Sequence, residues 1–485
     1  MEKLDQKKAT YVFGAILSVS VIIVAAGGII GLILLCVLAS VTVLTLILHF
    51  RFGPFPFCKC IGAQDEEQPT SVPPAPPLSS QQPRISTLHD VDPAPLRLYY
   101  LDNLKTFLTA IVVVHHITCS YAGLGWIYGI GAFPSWFKVF GQTSMLWNQI
   151  YFMCLFFFIS AYFTPTSCDR KGAHAFLKDK YDRLGIPFLV YTFVFGPLLN
   201  VFIKEVALNQ TYSFFPDAGP TWFLLWLLIF NTVYTFVGGD IVTAPFPTLT
   251  SVFTWGFGLG FIQAVCMAVL PMGFIFMPIT FGSLPFDILF FTAGVVAKRS
   301  RWLEDDLPRL IKEGVARGWV ALSAGFGLII FHIGFIFKLA EVDTVMLQVT
   351  EDSDSDDFIV LILTIVVYNL YCGILTILFS LSAVAIFHTY FNYSTPTTKW
   401  FASAAYTVYL IHGWVLTLLT AAYVGVLRAA GEVIEFEDDK SYSKSHMSSE
   451  GWLWLGWLLT VVLTMGICWP LASVIRQLPG CRDIL

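Results

Sequence analysis

From residue 98 onward the chain repeats one pattern: a long apolar run, then a short polar connection. Ten such runs lie near 103–122, 146–166, 186–204, 221–238, 251–270, 286–298, 319–337, 358–386, 400–425 and 452–475. A helix needs about 20 apolar residues to cross a hydrocarbon core roughly 30 Å thick, and most of the runs have that length. The sixth is short, and the eighth is long enough to tilt or to extend past the bilayer. The runs are continuous rather than alternating, which excludes a β-barrel. The pattern predicts an all-α fold, a polytopic transmembrane helical bundle with a ten-span core.

The first hundred residues follow a different pattern. Residues 12–48 form one apolar run, too long for a single upright span. Ala25-Ala26-Gly27-Gly28 near its middle leaves two readings, a helical hairpin broken at the glycines or one long tilted helix. Basic residues on both flanks (Lys3, Lys7, Lys8 and Arg51, Lys59) favour the hairpin, which keeps both flanks on one side. The run is far longer than the roughly 7–15 apolar residues of a cleaved signal peptide. Residues 62–96, rich in Pro, Ser and Gln, read as an extended linker. Cys58 and Cys60 sit just past the apolar run, where palmitoylation occurs, or are ordinary juxtamembrane thiols. The chain therefore divides into an amino-terminal membrane segment of one or two spans (1–61), a linker (62–97) and the main membrane domain (98–485).

Composition narrows the class. Hydrophobic residues make up 56% and charged residues 13%, against about 45–50% and about 25% in soluble domains, which excludes a soluble enzyme and a disordered chain. The net charge of −5 gives no attraction for nucleic acid. Ten cysteines are scattered without the spacing of a disulfide framework or a zinc site, so no metal is expected.

Charge also sets orientation. The loop 167–185 carries Arg170, Lys171, Lys178, Lys180 and Arg183, and the loop 298–317 carries Lys298, Arg299, Arg301, Arg309, Lys312 and Arg317. Lys399, Arg476 and Arg482 fall on the same side. The opposite loops hold fewer basic residues and the acidic clusters Glu351–Asp357 and Glu432–Asp439. By the positive-inside rule the basic loops and the carboxy terminus are cytosolic. The sequon Asn209-Gln210-Thr211 then lies outside and is open to glycosylation, whereas Asn392-Tyr393-Ser394 lies inside and stays unmodified.

Ionisable groups inside a bilayer are costly, so each is a functional candidate. In the first run, Asp102, Lys105, Thr109, His116 and Ser120 share one helical stripe. Lys105 and His116 are eleven residues, about 16 Å, apart along that stripe, the first at the basic mouth and the second near mid-membrane. His115 is turned about 100° away, so geometry prefers His116. In the ninth run Tyr406, Tyr409 and His412 share a face, and His412 lies about as deep as His116. Two histidines at matched depth on different helices can face one cavity and supply a base near neutrality; each can equally satisfy a neighbour in a packed bundle. His332, Asn231, Gln263 and Asn369 suit helix–helix hydrogen bonding, and Asp287 opens the sixth run at the interface. In the first basic loop, Lys180 and Arg183 are three residues apart and able to grip one anion, although orientation alone would account for their charge.

These residues resemble the membrane-bound acyltransferase 3 family. Tyr100-Leu101-Asp102-Asn103-Leu104-Lys105 leads through the apolar run to His115-His116, similar to the family's Arg or Lys, ten residues, His. Phe158-Ile159-Ser160-Ala161-Tyr162-Phe163 is similar to its Phe-x-Ile-Ser-Gly-Tyr/Phe stretch, with Ala161 where Gly is usual. Lys180 through Pro187 looks like its Arg-x-x-Arg-Leu-x-x-Pro loop, with Lys180 replacing the first Arg, which keeps charge but loses bidentate geometry. Gly219-Pro220-Thr221-Trp222-Phe223-Leu224 and Tyr406-Thr407-Val408-Tyr409-Leu410-Ile411-His412 complete the order, and the resemblance covers about residues 98–480.

The resemblance implies acyl transfer from a cytosolic acyl-CoA, usually acetyl-CoA, to a hydroxyl of a glycan or small-molecule acceptor. It implies His116 as the catalytic histidine, either as general base on the acceptor hydroxyl or as a covalent acyl relay, with Lys105, Lys180 and Arg183 helping to hold the phosphorylated donor. Tyr409 and His412 would orient groups or shuttle protons, by their face and depth. Two other classes stand beside this one. Intramembrane histidines also suit a proton-coupled secondary transporter, although the hydropathy shows no two-fold repeat. The substitutions at Lys105, Ala161 and Lys180 would also suit a non-catalytic membrane scaffold.

Overall fold

The computed structural model describes residues 98–482 and 484, apart from segments 123–128, 131–135, 208–210, 213, 238–242, 270–274, 277–278, 281–283, 340–354, 433–434, 438–443 and 447–448. In 328–339 and 355–365, and at a few further positions, it describes the backbone alone. The readings for residues 1–97, for the sequon at Asn209 and for the His332 side chain lie outside the described residues.

Each of the ten apolar runs lies in a helix. In chain order these are α1 (Tyr99–Tyr121), α2 (Trp136–Tyr162), which passes through Phe163 into the short α3 (Thr164–Lys171), and α4 (Ala173–Ala207). Then come α5 (Trp222–Val237), α6 (Leu249–Val269), α7 (Leu284–Arg299) and α8 (Val315–Leu339). The last are α9 (Ser355–Tyr390), α10 (Pro396–Ala429) and α11 (Glu450–Ile475). Among the described residues, eight helices are long and apolar enough to cross a membrane. The chain is an integral multi-pass membrane protein. With 16 residues α7 is the short one, and α9, with 36 residues, rises about 54 Å, well beyond a hydrocarbon core.

Helices embedded in lipid gain little from burying apolar surface against each other, so close packing and hydrogen bonds hold them together. The α6–α9 contact shows this. A side chain on Gly260 would put its Cβ 2.3 Å from the Asn369 carbonyl oxygen, so the backbones meet because Gly260 has none. One core, around α2, α5 and α7, is built from interlocked rings such as Phe157, Phe223, Phe230 and Phe291. The second core joins α1, α10 and α11 through residues such as Ile117, Val408, Leu416 and Cys468. Helix α1 belongs to both cores and packs against α2, α9, α10 and α11.

Polar groups tie the ends. At the basic face, Arg299 donates to both carboxylate oxygens of Asp169 at 2.7 and 3.1 Å and to Tyr234 Oη at 3.1 Å, joining α3, α5 and α7. Asn103 Nδ2 donates to the carbonyls of Phe391 and Tyr393 at 2.7 and 3.0 Å, fixing α1 to the α9–α10 turn. At the acidic face, Gly129–Ile130 pairs with Lys444–His446, which pairs with Glu435–Glu437, so short β-pairings link two loops. Asn231 does the gluing its type suggested: it donates to Leu227 O at 2.6 Å and accepts from Thr164 Oγ1 at 2.9 Å. Asp287, in the first turn of α7, is fully buried within the bundle.

Candidate functional site

The site is set by where α10 begins. Thr395 caps it: its hydroxyl accepts from the Thr398 amide at 3.1 Å, and Thr398 Oγ1 accepts from the Thr395 amide at 2.9 Å. Pro396 follows at the first helical position, where its fixed φ and missing amide hydrogen are harmless. This start puts Tyr406, Tyr409 and His412 on one face, one turn apart.

His412 Nδ1–H donates to the Tyr409 carbonyl at 2.7 Å, and His412 Nε2 lies 2.7 Å from His116 Nδ1. The two imidazoles lie edge to edge and nearly coplanar, with centroids 4.9 Å apart and planes 9° from parallel. A carbonyl only accepts, so the hydrogen-bond network assigns the proton of neutral His412 to Nδ1 and leaves Nε2 as an acceptor. His116 Nδ1–H then donates to it, and the lone pair of neutral His116 sits on Nε2. His115 packs against Phe152 of α2, with ring centroids 5.2 Å apart, on the other side of α1. The two histidines therefore touch each other directly. The large apolar cavity of about 1180 Å³ is lined on α1 by Asn103, Phe107 and Ala110, a different face from that of His116.

The two tyrosines of the stripe are spent on backbone carbonyls of other elements. Tyr406 Oη donates to the Arg183 carbonyl and Tyr409 Oη to the Pro220 carbonyl. Arg183 needs such a donor because Pro187, four residues on, has no amide hydrogen to return to it. What meets His412 is thus the Tyr409 carbonyl, while the Tyr409 hydroxyl anchors α10 to the start of α5.

The same proline logic shapes α4. The helix loosens into π-turns at Tyr181–Gly185, Tyr191–Phe195 and Phe202–Ala207. The Gly196 amide bonds back to the Tyr191 carbonyl, and Pro197 has no amide hydrogen, so the Thr192 carbonyl is left free. The Asp217 amide fills it at 3.0 Å. Asp217 also accepts from Asn200 Nδ2 at 2.7 Å and from the Gly219 amide at 2.8 Å. Gly196 permits this approach: a Cβ there would lie 2.0 Å from the Asp217 carbonyl oxygen. The segment Asp217–Thr221 is thereby pinned into α4, which places the Pro220 carbonyl for Tyr409. Sequence reasoning passed over Asp217 and Asn200. The signal was present in Pro187 and Pro197, which interrupt an otherwise helical apolar run.

The basic residues lie apart from the histidines. Lys105 pairs with Asp102 at 3.0 Å, with its ammonium 5.3 Å from the centre of the Phe163 ring. Arg183 Nε lies 3.3 Å from Asp179, which Lys171 also contacts at 2.9 Å. Lys180 is turned over the Phe176 ring at 5.2 Å. Thr109 and Ser120, from the α1 stripe, donate to backbone carbonyls one turn back. Among the described residues, no three His, Cys, Asp or Glu groups converge as metal ligands.

A family model described as an acyltransferase domain matches residues 98–473. The chain belongs to the acyltransferase 3 family. A glucans biosynthesis protein C of Salmonella schwarzengrund (strain CVM19633) is 29% identical over 157 residues, a stretch that takes in 29% of this chain and 38% of that protein. The chain thus matches well under half of that relative's length. No solved structure matches the chain. Within this acyltransferase 3 chain, the Phe158–Phe163 stretch is a packing surface. Ala161 is fully buried, and a Cβ on Gly294 of α7 would lie 2.8 Å from its methyl group and 2.3 Å from the Phe158 carbonyl oxygen.

Proposed function

We propose that the protein moves an acyl group, commonly acetyl, from acyl-CoA at the cytosolic, basic face to a hydroxyl of a glycan or small-molecule acceptor. The observation that carries this reading is the His116–His412–Tyr409 carbonyl chain, which leaves the His116 lone pair on Nε2. His116 Nε2 takes the proton of the acceptor hydroxyl as its oxygen attacks the thioester carbonyl carbon. The carbon–sulfur bond breaks, an ester carbon–oxygen bond forms, and His116 returns the proton to the sulfur of coenzyme A. While His116 is charged, its Nδ1–H remains bonded to His412 Nε2, which holds the ring in place and shares the charge. General base catalysis of this kind contributes about 10²–10⁴-fold.

Lys105, Lys180 and Arg183 are suited to the donor's phosphates. The Lys105 and Arg183 side chains are 38% and 60% exposed, so both can turn from their carboxylate partners toward an anion. Lys105 stands about 16 Å below His116 on α1, a span for the pantetheine arm to cover. The name of the similar protein, glucans biosynthesis protein C, is in keeping with a glycan acceptor.

The test uses purified protein in lipid with labelled acetyl-CoA and a panel of glycan, polyol and lipid acceptors. Wild type transfers label, and His116→Ala, still folded in the membrane, does not. Full activity in His116→Ala with His115→Ala inactive would overturn the assignment.

A further inference from the structure

One buried hydroxyl, packed against the residue that follows His412, has no hydrogen-bond partner among the described residues. It is the Oη of Tyr191, a residue 3% exposed. It belongs to the second π-turn of α4 and points at α10, where a Cβ on Gly413 would lie 3.3 Å from it. Gly413 follows His412 directly, so the hydroxyl stands over the turn that holds the histidine pair. A buried tyrosine hydroxyl without a partner is costly in a membrane interior.

Its surroundings indicate what would satisfy it. The Asp217 amide bonds to the carbonyl of Thr192, the residue after Tyr191, at 3.0 Å, which seats Asp217 on the same turn of α4. Each carboxylate oxygen of Asp217 accepts one hydrogen bond, one from Asn200 and one from the Gly219 amide. A carboxylate has about four acceptor positions, so two are unspent among the described residues. An unspent phenol donor beside unspent carboxylate acceptors suits a ligand that both accepts and donates, which is the chemistry of neighbouring hydroxyls on a sugar or polyol. A developing oxyanion would be repelled by the Asp217 charge, which disfavours the thioester oxygen as the partner.

We propose that Tyr191 and Asp217 form the acceptor subsite, in which Tyr191 Oη holds an oxygen of a polyhydroxylated acceptor next to the His116–His412 pair. This rests on the acyl-transfer reading above for its role in turnover, but not for binding.

The deciding variant is Tyr191→Phe in the full chain reconstituted in lipid. It removes one oxygen and leaves no protein partner unsatisfied, so a merely structural tyrosine would lose nothing. A glucose trisaccharide and 1-propanol serve as acceptors with labelled acetyl-CoA. The expected result is a KM for the trisaccharide raised about tenfold, the loss of one hydrogen bond, with the KM for acetyl-CoA and transfer to 1-propanol unchanged. At one trisaccharide concentration the Tm of the wild type should also rise more than that of the variant. Gly413→Ala, which crowds the hydroxyl, should reproduce both effects. An unchanged trisaccharide KM and an equal thermal shift in Tyr191→Phe would overturn the proposal, as would a parallel rise in both KM values. If the wild type transfers no acyl group to any acceptor, the acyl-transfer reading fails, and the thermal shift alone decides the subsite.

Discussion

His116 Nδ1 and His412 Nε2 lie 2.7 Å apart with their rings nearly coplanar, and the other nitrogen of His412 is held by a carbonyl of its own helix. His412 is therefore fixed before any substrate arrives, and it fixes His116 in turn. Replacing His412 with Ala should lower kcat by roughly 10²-fold, as expected when a base loses its orienting partner, with both KM values little changed. His412→Gln should recover part of the loss, because its amide oxygen can accept from His116 Nδ1–H. Steady-state kinetics on the two variants checks this, and equal damage in both would count against the orienting role.

Replacing the Tyr409 hydroxyl should cost stability more than chemistry. That hydroxyl is the donor for the Pro220 carbonyl, in a buried part of the bundle. Tyr409→Phe leaves that carbonyl unpaired and should cost about 1–3 kcal/mol. Thermal unfolding in detergent should show a lower Tm for Tyr409→Phe than for Tyr406→Phe, whose partner, the Arg183 carbonyl, lies at an exposed edge.

The parts of this molecule that sequence made legible are those governed by periodicity. Ten apolar runs became helices because a bilayer leaves an isolated backbone few other ways to satisfy its hydrogen bonds. The 3.6-residue period was enough to separate His116 from His115 and to place His412 at the same depth. Periodicity does not show what a side chain meets across the bundle. Tyr409 was read as a partner for the histidines, yet its hydroxyl reaches the Pro220 carbonyl just ahead of α5. Lys180 and Arg183 are three residues apart in sequence, and periodicity did not show that one lies over Phe176 and the other beside Asp179. Asp217 was invisible because its neighbours come from α4, and only the prolines that free the α4 carbonyls hinted at such a contact.

The separation of Lys180 from Arg183 predicts unequal effects on the donor. Arg183, exposed and held by one carboxylate, should turn readily to a phosphate. Arg183→Ala should raise the KM for acetyl-CoA by about tenfold or more, the range of a hydrogen bond to a charged group. Lys180→Ala should raise it less, and neither variant should change the acceptor KM. Unchanged donor KM values in both would remove these residues from the donor site.

Orientation has a separate measurement. If the basic loops are cytosolic, Asn209 faces the opposite compartment. Expressed in a glycosylating host, wild type should shift in mobility on glycosidase treatment and Asn209→Gln should not. A shift that survives in Asn209→Gln would reverse the sides or place the glycan elsewhere, and Asn392→Gln would then tell which.

Gly196 gives the most stringent test of how the site is assembled. Its missing side chain lets Asp217 reach the Thr192 carbonyl, and a Cβ there would lie 2.0 Å from the Asp217 backbone oxygen. Backbone cannot rotate out of the way as a side chain can, so Gly196→Ala must push the Asp217–Thr221 segment off α4. That breaks the Thr192 and Asn200 bonds together and withdraws the Pro220 carbonyl from Tyr409. A small residue that merely filled space would cost about 1–3 kcal/mol on enlargement. Here several coupled hydrogen bonds go with it, so the loss of Tm should exceed that of Tyr409→Phe. Adding Tyr409→Phe to Gly196→Ala should then cost little more, because the bond it removes is already gone. Full additivity of the two would mean that the α4 clamp and the histidine helix are independent.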